Sequence, residues 1–325
     1  MQSSINREIK TCRVFSFPSQ KYRFTMQAVD PILLPYYKGS TFRGAFGMAF
    51  KKIVCALRKK ECSECILKSR CIYSYIFETT PPENTNIMNM NKYNKVPHPF
   101  IIEPPPEEKQ KYKEGDLISF ELVLVGKAVD YLPYFIYTFE ELGETGLGRG
   151  RGKYRLLYVY KGDTAIYSYQ DKTIHRADVD SISVKDITCV EGSRDDIVEI
   201  EFLTPLRIVY GRKLVSDIDF HILIRNLVRR LNLLYYFHCN GRELDWDYKK
   251  IIDHAAGVAM EEKNMHWQDW ERYSSRQNTR MKMGGMIGKV KYIGNLESFM
   301  SILEAGEIFH AGKGTSFGLG KYRIL

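Results

Sequence analysis

The chain has 325 residues, a length that suits two domains of ordinary size better than one. Hydrophobic residues make up 44% of it, enough for packed cores, and this composition excludes a disordered protein. Its 48 Lys and Arg against 39 Asp and Glu give a formal net charge of +9, which favours a polyanionic partner.

The sequence carries no recognisable signal for export or for membrane insertion. Its first residues contain no apolar signal segment, and its apolar runs are far shorter than the roughly 20 residues of a transmembrane helix. Seven cysteines are an odd number, and four of them crowd between positions 55 and 71. These features predict a cytoplasmic protein with no membrane partner, in which cysteines bind a metal rather than form disulfides.

The first half of the chain predicts alternating strands and helices that end in a Gly-rich loop. Residues 21–34 alternate like a strand, and Ser40 can cap a helix that runs through Ala45 to Leu57. The Pro- and Asn-rich residues 79–106 predict a loop. There follow a strand at 117–126, a helix at 132–142, the Gly-rich residues 143–153 and a strand at 154–160.

The second half repeats this order after an irregular hairpin at 164–192. We predict strands at 197–208, 281–293 and 321–325, and helices at 220–237 and 296–303. The two halves also share a sequence motif, since GRGKYRLL at 150–157 and GLGKYRIL at 318–325 have the same residue at six of eight positions. A duplicated unit explains the repeat, because each copy needs a last strand and the loop that leads into it. Two unrelated strands that each follow a Gly turn are the alternative.

We therefore predict an α+β fold of tandem ferredoxin-like (RRM-like) βαββαβ domains. The N-terminal domain covers residues 1–192 and contains the Cys-rich insertion, and the C-terminal domain covers residues 193–325 and contains the second Gly-rich loop.

Four cysteines, Cys55, Cys62, Cys65 and Cys71, have the spacing C-x6-C-x2-C-x5-C. Thiolates at this density can converge on a tetrahedral Zn(II) ion or an iron-sulfur cluster. Four protein ligands leave no open coordination position, so such a metal would hold the segment in place rather than catalyse. Reduced, buried cysteines without a metal are the alternative.

Basic residues concentrate in two segments, one near each end of the chain. Residues 38–70 contain nine Lys or Arg and two Glu, and residues 280–325 contain seven Lys or Arg and three Glu. The two segments could line one groove for nucleic acid, with an affinity that falls as salt rises. Two solvated surfaces are the alternative.

Each half also carries a Gly-rich loop that contains Lys or Arg, a combination that lets backbone N–H groups and cations approach a phosphate. Each loop lies between a helix and a strand, so neither is a P-loop. The predicted RNA contacts are Arg149, Arg151 and Lys153 in the first loop, and Lys313, Gly314, Gly318, Gly320 and Lys321 in the second. Glycines that only permit tight turns are the alternative.

A further stretch, residues 266–285, interleaves Trp and Tyr with Arg. Aromatic rings stack on unpaired bases and Arg grips phosphates, so we predict RNA contacts by Arg272, Tyr273 and Arg276. A β-hairpin with Trp side chains in the core is the alternative for the aromatic residues.

Among the seven histidines, His310 directly precedes the second Gly-rich loop. A histidine with a pKa near neutrality beside a bound phosphate suits the proton transfer that lets a ribose 2′-OH attack. Support of the loop, or RNA binding, is an equal alternative for this residue.

These features resemble the RAMP superfamily of CRISPR-associated proteins, and within it the endoribonuclease that processes CRISPR precursor RNA. The resemblance covers nearly the whole chain, including KGSTFRGAFG at 38–47, FLTPLRI at 202–208, RYSSRQ at 272–277 and above all HAGKGTSFGLGKYRIL at 310–325. The resemblance includes the helix with Arg229 and Arg230 and implies that both arginines contact RNA.

The resemblance implies metal-independent cleavage within the repeats by 2′-OH attack, which yields guide RNAs for defence against foreign nucleic acid. No cofactor is needed for this reaction. CRISPR repeat RNA is the implied partner, and subunits of a CRISPR effector complex are compatible further partners.

One departure from the family concerns the catalytic histidine, which many members place at or near the first helix. Residues 34–45 read LPYYKGSTFRGA and contain none. The resemblance leaves Tyr36 or Tyr37 with Lys38 and Arg43 to activate the hydroxyl and stabilise the charged phosphorane, or His310 to approach from the second domain. Loss of activity is a third option.

Two other functions stay open at this stage. One is a non-catalytic RAMP subunit that binds guide RNA in an effector complex, and the missing histidine favours it. The other is a metal-cluster redox protein, which only the four cysteines support and which the charge distribution opposes.

Overall fold

The structure is a computed structural model that describes residues 13–58, 61–79, 81, 87, 96–175, 178–187, 196–274 and 279–325. The described residues contain six α-helices: α1 (Gly39–Val54), α2 (Ile72–Phe77), α3 (Leu132–Thr145), α4 (Phe220–Leu234), α5 (Tyr248–Ala255) and α6 (Met300–Phe309). None of these helices combines the length and the apolar character that a bilayer crossing requires.

The strands of the N-terminal half are β1 (Val14–Ala28), β2 (Ile32–Leu33), β3 (Phe100–Glu103), β4 (Lys111–Tyr112), β5 (Leu117–Val125), β6 (Tyr154–Lys161), β7 (Thr164–Ser168) and β8 (Ser181–Lys185). Those of the C-terminal half are β9 (Asp196–Leu206), β10 (Val209–Tyr210), β11 (Lys213–Leu214), β12 (Ala259–Gln268), β13 (Glu271–Ser274), β14 (Thr279–Lys282), β15 (Gly285–Gly294) and β16 (Tyr322–Ile324).

The two main sheets share one topology. The N-terminal sheet has the order β3-β5-β1-β6-β7, and β8 pairs with the first part of β1. The C-terminal sheet has the order β12-β15-β9-β16, and its pairs are antiparallel. Within each βαββαβ unit the strand order is therefore second, third, first, fourth, as in ferredoxin-like domains. This confirms the predicted tandem fold, and the two G-x-G-K-Y-R-x-L copies run into β6 and β16, the fourth strand of each unit.

Several predicted boundaries are wrong. Helix α1 begins at Gly39, and Lys38 is its N-cap residue without a side-chain cap, so Ser40 lies inside the helix rather than before it. The predicted strand at 281–293 is two strands, β14 and β15. The predicted helix at 220–237 ends as α4 at Leu234 and continues as a π-helical turn over Tyr235–Asn240.

The prediction omits helix α5 and strand β12, and the omission that bears on the site is β3, which lies inside the predicted loop at 79–106. All four of its residues are buried, and it pairs with β5 along Phe100–Glu103. Prolines on both sides made this segment read as a loop in the sequence, because prolines are typical of loops and leave only four residues for the strand.

The two domains share a hydrophobic core. The C-terminal core includes Phe17 of β1 and Val123 of β5, although both belong to the N-terminal sheet. The ring of Phe17 lies 5.1 Å from that of Tyr235 and 5.7 Å from that of Phe309, measured between centroids. Burying one such side chain contributes about 1.5–3 kcal/mol, so contacts of this kind hold the domains together. The predicted domain boundary at 192 lies outside the described residues.

Candidate functional site

The second Gly-rich loop, residues 312–321, lies in the seam between the two domains. The hydroxyl of Tyr37 donates a hydrogen bond to the carbonyl oxygen of Phe317 over 2.8 Å. Any Cβ at Gly39 would lie 2.0 Å from the same oxygen, so only glycine permits this approach of the loop to α1. Gly318 has a positive φ of 82° and packs on Pro104, next to β3. The loop therefore contacts both α1 and β3 of the other domain.

A single carboxylate of β3 binds both ends of this loop. Glu103 is 4% exposed, and its Oε1 lies 3.2 Å from Nε2 of His310, the residue two positions before the loop. Its Oε2 accepts hydrogen bonds from Lys321, the last loop residue, and from Lys21 of β1 at 3.2 Å. Burial opposes ionisation of Glu103. The hydrogen bond with His310 and the charges of Lys321 and Lys21 outweigh burial and hold its pKa well below the usual range.

His310 itself is fully buried. Its Nδ1 lies 3.1 Å from the carbonyl oxygen of Leu319, so both ring nitrogens face acceptors inside the protein. Burial lowers the pKa of His310, and Glu103 opposes this shift. This placement matches the alternative role, support of the loop, and the ring does not face solvent. Its predicted role in proton transfer stays a prediction.

The three other predicted catalytic residues lie around the first turns of α1. Burial raises the pKa of the Tyr37 hydroxyl, whose ring packs 4.4 Å from that of Trp270. Lys38 is only 2% exposed, and its amine donates to the carbonyl oxygen of Glu107. Burial lowers the pKa of Lys38.

The Arg43 guanidinium lies where α1, α2 and the Gly-rich loop meet. Its Cζ is 4.8 Å from the ring centroid of Phe77 and 5.1 Å from that of Phe317. Its Nη2 donates to Nε2 of His98 over 3.3 Å. Two aromatic rings and a histidine thus fix one cation at the domain seam.

His98 is a site residue that the sequence did not reveal. Burial, reinforced by the charge of Arg43, lowers its pKa to about 3, so the ring is neutral and accepts the hydrogen bond from Arg43. The signal that could have found it is its position two residues before the buried strand β3, but that strand was itself missed.

Comparisons with known proteins identify the chain. Residues 200–322 match the family model described as CRISPR-associated endoribonuclease Cas6. Residues 17–179 match a second family model, described as an N-terminal domain. By this match the C-terminal part of the chain, residues 200–322, belongs to the Cas6 family.

Individual relatives agree with this assignment. An Archaeoglobus fulgidus protein described as uncharacterized is 25% identical over 300 residues, which are 90% of this chain and 92% of the relative. A Cas6 product complex has a TM-score of 0.54 at 13% identity and covers 94% of this chain and 100% of its own. A partial Cas6-RT-Cas1–Cas2 complex has a TM-score of 0.55 at 12% identity and covers 95% of this chain and 46% of its own.

These findings confirm the predicted resemblance and the class of function. The solved structures support the tandem ferredoxin-like fold, and the family is one of RNA-cleaving enzymes in CRISPR-associated RNA processing. A non-catalytic RAMP subunit is not favoured by these matches.

The predicted RNA contacts fall into three environments. Arg149, Arg151 and Lys153 in the first loop and Lys313 in the second are exposed. Gly314, Gly318 and Gly320 carry positive φ values, and Lys321 is bound to Glu103, so these residues shape and anchor the loop. On α4, Arg229 is half-buried and Arg230 is buried.

The predicted aromatic and basic stretch is only partly described. Arg272 and Tyr273 belong to β13, which pairs with β14. Arg276 lies outside the described residues. RNA binding by these three residues stays a prediction.

The four cysteines of the predicted metal site are free and half-buried. Burial raises the pKa of Cys62, and Cys55 and Cys71 are close enough to add to this shift. Within the described residues, however, no group of three or more His, Cys, Asp or Glu side chains is placed to hold a metal ion. The thiols as placed do not form a ligand set, and no step of the chemistry is assigned to a metal.

Proposed function

We propose that this protein cleaves CRISPR precursor RNA within its repeats, without a metal ion, and so releases mature guide RNAs. In this reaction the ribose 2′-oxygen attacks the adjacent phosphorus, a 2′-O–P bond forms and the P–O5′ bond breaks. The products are a 2′,3′-cyclic phosphate on the upstream fragment and a 5′-hydroxyl on the downstream fragment. One proton leaves the 2′-OH and one is delivered to the 5′-oxygen.

The observation that carries this proposal is the position of Arg43 beside the Gly-rich loop. Its guanidinium is held between the rings of Phe77 and Phe317 and against His98. An RNA backbone that follows the loop through the seam would bring a phosphate to this cation. A fixed guanidinium there would stabilise the extra negative charge that develops on the pentacoordinate phosphorus.

Lys38 suits the removal of the 2′-OH proton, and water can supply the proton that the 5′-oxygen takes up. A lysine whose pKa is lowered by burial loses its proton more readily, which is what a general base at neutral pH requires. Tyr37 keeps its proton because burial raises its pKa, so it cannot act as the base, and its hydroxyl holds the Gly-rich loop by donating to the carbonyl oxygen of Phe317. We assign Lys38 as the base, Arg43 as the charge stabiliser and Tyr37 as a positioning residue for the loop.

Synthetic repeat RNA in EDTA tests the proposal. We expect cleavage in EDTA, and no cleavage when the scissile position carries a 2′-deoxyribose. Failure of the wild-type protein to cut in EDTA would remove the metal-independent reaction, and cleavage of the deoxy substrate would remove the 2′-OH mechanism.

Variants test the assigned roles. Arg43→Gln should lower the single-turnover rate by about 100-fold or more, the usual effect of losing one charge-stabilising group. Lys172→Gln is the matched control, since it also removes one cation from the N-terminal domain and Lys172 is an exposed partner of Glu140. Equal rates for both variants would contradict the role of Arg43.

The four thiols do not form a ligand set as placed. We further propose that metal loading draws them together around a structural Zn(II) ion or an iron-sulfur cluster in the protein as purified. Metal analysis and the visible absorption spectrum distinguish zinc, iron and no metal. A metal-free protein that retains its full melting temperature would remove this proposal.

A further inference from the structure

Helices α4 and α5 line a surface cavity of about 450 Å³ on the C-terminal domain. This volume lies within the range of roughly 300–1,000 Å³ that is usual for small-molecule sites. None of the residues assigned to the proposed reaction lines it. The two helices contribute its walls, which include Arg225, Val228 and Arg229 of α4 and Tyr248, Lys249 and Ile252 of α5.

The apolar part of the cavity rests on the core of the C-terminal domain. Val228 is buried, and Tyr248 and Ile252 pack against that core. Helix α5 is placed there because Ile251 and Ala255, four positions apart on one side of it, are buried beneath it. The cavity therefore has apolar walls that are part of the folded domain.

The aromatic wall of the cavity is held by contacts with neighbouring residues. The hydroxyl of Tyr248 donates to the carbonyl oxygen of Leu244 over 3.3 Å, and its ring centroid lies 6.4 Å from that of Trp246. The amide of Leu244 donates in turn to Oδ1 of Asn232 on α4 over 2.8 Å, which fixes the segment before α5 to α4. A ring held in this way can pack on a flat ligand with little loss of conformational entropy.

Two exposed cations line the cavity from different helices. Arg225 belongs to α4 and Lys249 to α5, and in the part of the chain that the structure describes neither forms an ion pair with a carboxylate. The Cζ of Arg225 lies 6.0 Å from the ring centroid of Tyr210, which helps to position the guanidinium. Arg229 adds a third cation, against the single carboxylate of Asp253. The lining is therefore net positive and favours an anion.

We propose that this cavity binds a small aromatic anion, a molecule with a flat ring system and one acidic group. Burial of the ring against Val228, Tyr248 and Ile252 removes apolar surface from water. The acidic group lies between Arg225 and Lys249, which donate charge-assisted hydrogen bonds to it. This binding function is separate from RNA cleavage and does not depend on it.

A fluorescent probe with this chemistry, anilinonaphthalene sulfonate, tests the proposal. It carries aromatic rings and one sulfonate, and its emission rises when the rings leave water. Titration of the full chain should show saturable binding at one site. Phenylnaphthylamine, a neutral analogue that lacks the sulfonate, serves as the probe for the apolar walls alone. Absence of saturable sulfonate binding would overturn the proposal.

Variants of the two exposed cations locate the bound probe. Arg225→Gln and Lys249→Gln should each weaken sulfonate binding about tenfold, the loss expected for one charged hydrogen bond, and should leave binding of the neutral analogue unchanged. Because both side chains are exposed, both variants should melt at the wild-type temperature. Wild-type affinity for the sulfonate in either variant would overturn the site.

Lys250→Gln is the matched control. It removes one cation from the same helix, next to Lys249, but Lys250 does not line the cavity. This variant should bind the sulfonate with wild-type affinity. A loss as large as that in Lys249→Gln would show that the probe responds to general surface charge, and the proposed site would be wrong.

RNA is the alternative occupant, because Arg229 is both a wall residue and a predicted RNA contact. Saturating repeat RNA with a 2′-deoxyribose at the scissile position should leave the bound sulfonate in place. Displacement of the probe would assign the cavity to the RNA interface and overturn the proposal. None of these titrations requires cleavage, so a protein that does not cut RNA would remove the proposed function and leave this site standing.

Discussion

The two Gly-rich loops occupy the same place in two copies of one unit but have different surroundings. In the first loop, residues 143–153, the amide of Arg149 donates to the carbonyl oxygen of Leu33 over 2.9 Å, a contact within its own domain. Its three cations are exposed. The second loop lies between the domains, and both of its ends are bound to Glu103.

This difference shows how a duplication can divide one task between two copies. A loop that leads into the fourth strand has the same local geometry in both units, but only the second meets α1 and β3 of the other domain. The first loop can therefore supply positive charge to a ligand, whereas the second supplies a backbone that is held in one conformation. Variants at each loop should separate these properties.

The largest effect is expected at Glu103, on which the fixed state of the second loop depends. Glu103→Gln leaves His310 and Lys321 without their buried carboxylate and should lower the free energy of unfolding by about 3–5 kcal/mol. Amide hydrogen exchange in residues 312–321 should rise with it. The control is Glu121→Gln, because Glu121 contacts the same lysines, Lys21 and Lys321, but is half-exposed. It should cost less than about 1 kcal/mol, and an equal cost for both variants would contradict the special role of Glu103.

The same carboxylate predicts a dependence on pH. The pKa of Glu103 is lower in the folded protein than its ordinary value of 4.5, so below about pH 5 the unfolded chain binds more protons than the folded one. The free energy of unfolding should fall as the pH falls through this range. Glu103→Gln should show a shallower fall, and identical acid profiles for variant and wild type would contradict the charged state of Glu103.

A smaller effect is expected at Gly39, where α1 meets the second loop. In Gly39→Ala the new methyl group would overlap the carbonyl oxygen of Phe317, so the loop must move, at a cost of about 1–3 kcal/mol. Gly44→Ala, on the same helix with no atom within 4 Å of a Cβ, should instead stabilise by up to about 1 kcal/mol through helix propensity. Denaturant unfolding measures both free energies. A Gly39→Ala variant at least as stable as the wild type would show that the clash is relieved at no cost.

The sequence predicted the elements with strong local patterns. Strands β5 and β6, helix α3 and the repeated last strand follow from alternation, helical spacing and Gly turns, which depend on near neighbours. Strand β3 does not follow from such local patterns, since its four residues form a strand only by pairing with β5. Because β3 was not predicted, Glu103 was not predicted as a site residue either.

The site itself depends on contacts that no local pattern encodes. Arg43 and His98 are 55 positions apart, and His310 and Glu103 are 207 apart. Arg229 and Arg230 are adjacent in the sequence, but neighbours on an α-helix point about 100° apart, so one is half-buried and the other is buried. The packing of α4 on α6 decides which of the two is buried, since Arg230 donates to the carbonyl oxygen of Phe309 at the end of α6.

The smallest effect on stability, and a distinct effect on RNA, is expected in the first loop. Arg149→Gln combined with Arg151→Gln removes two exposed cations and should leave the free energy of unfolding within about 0.5 kcal/mol of the wild type. If both arginines contact phosphates of single-stranded RNA, the slope of log affinity against log salt should fall by about 1.4, or about 0.7 for each lost contact. Lys172→Gln should leave the slope unchanged, because that lysine is paired with Glu140. A double variant with the wild-type slope would mean that the first loop does not touch RNA, and the two copies would then differ in function as well as in environment.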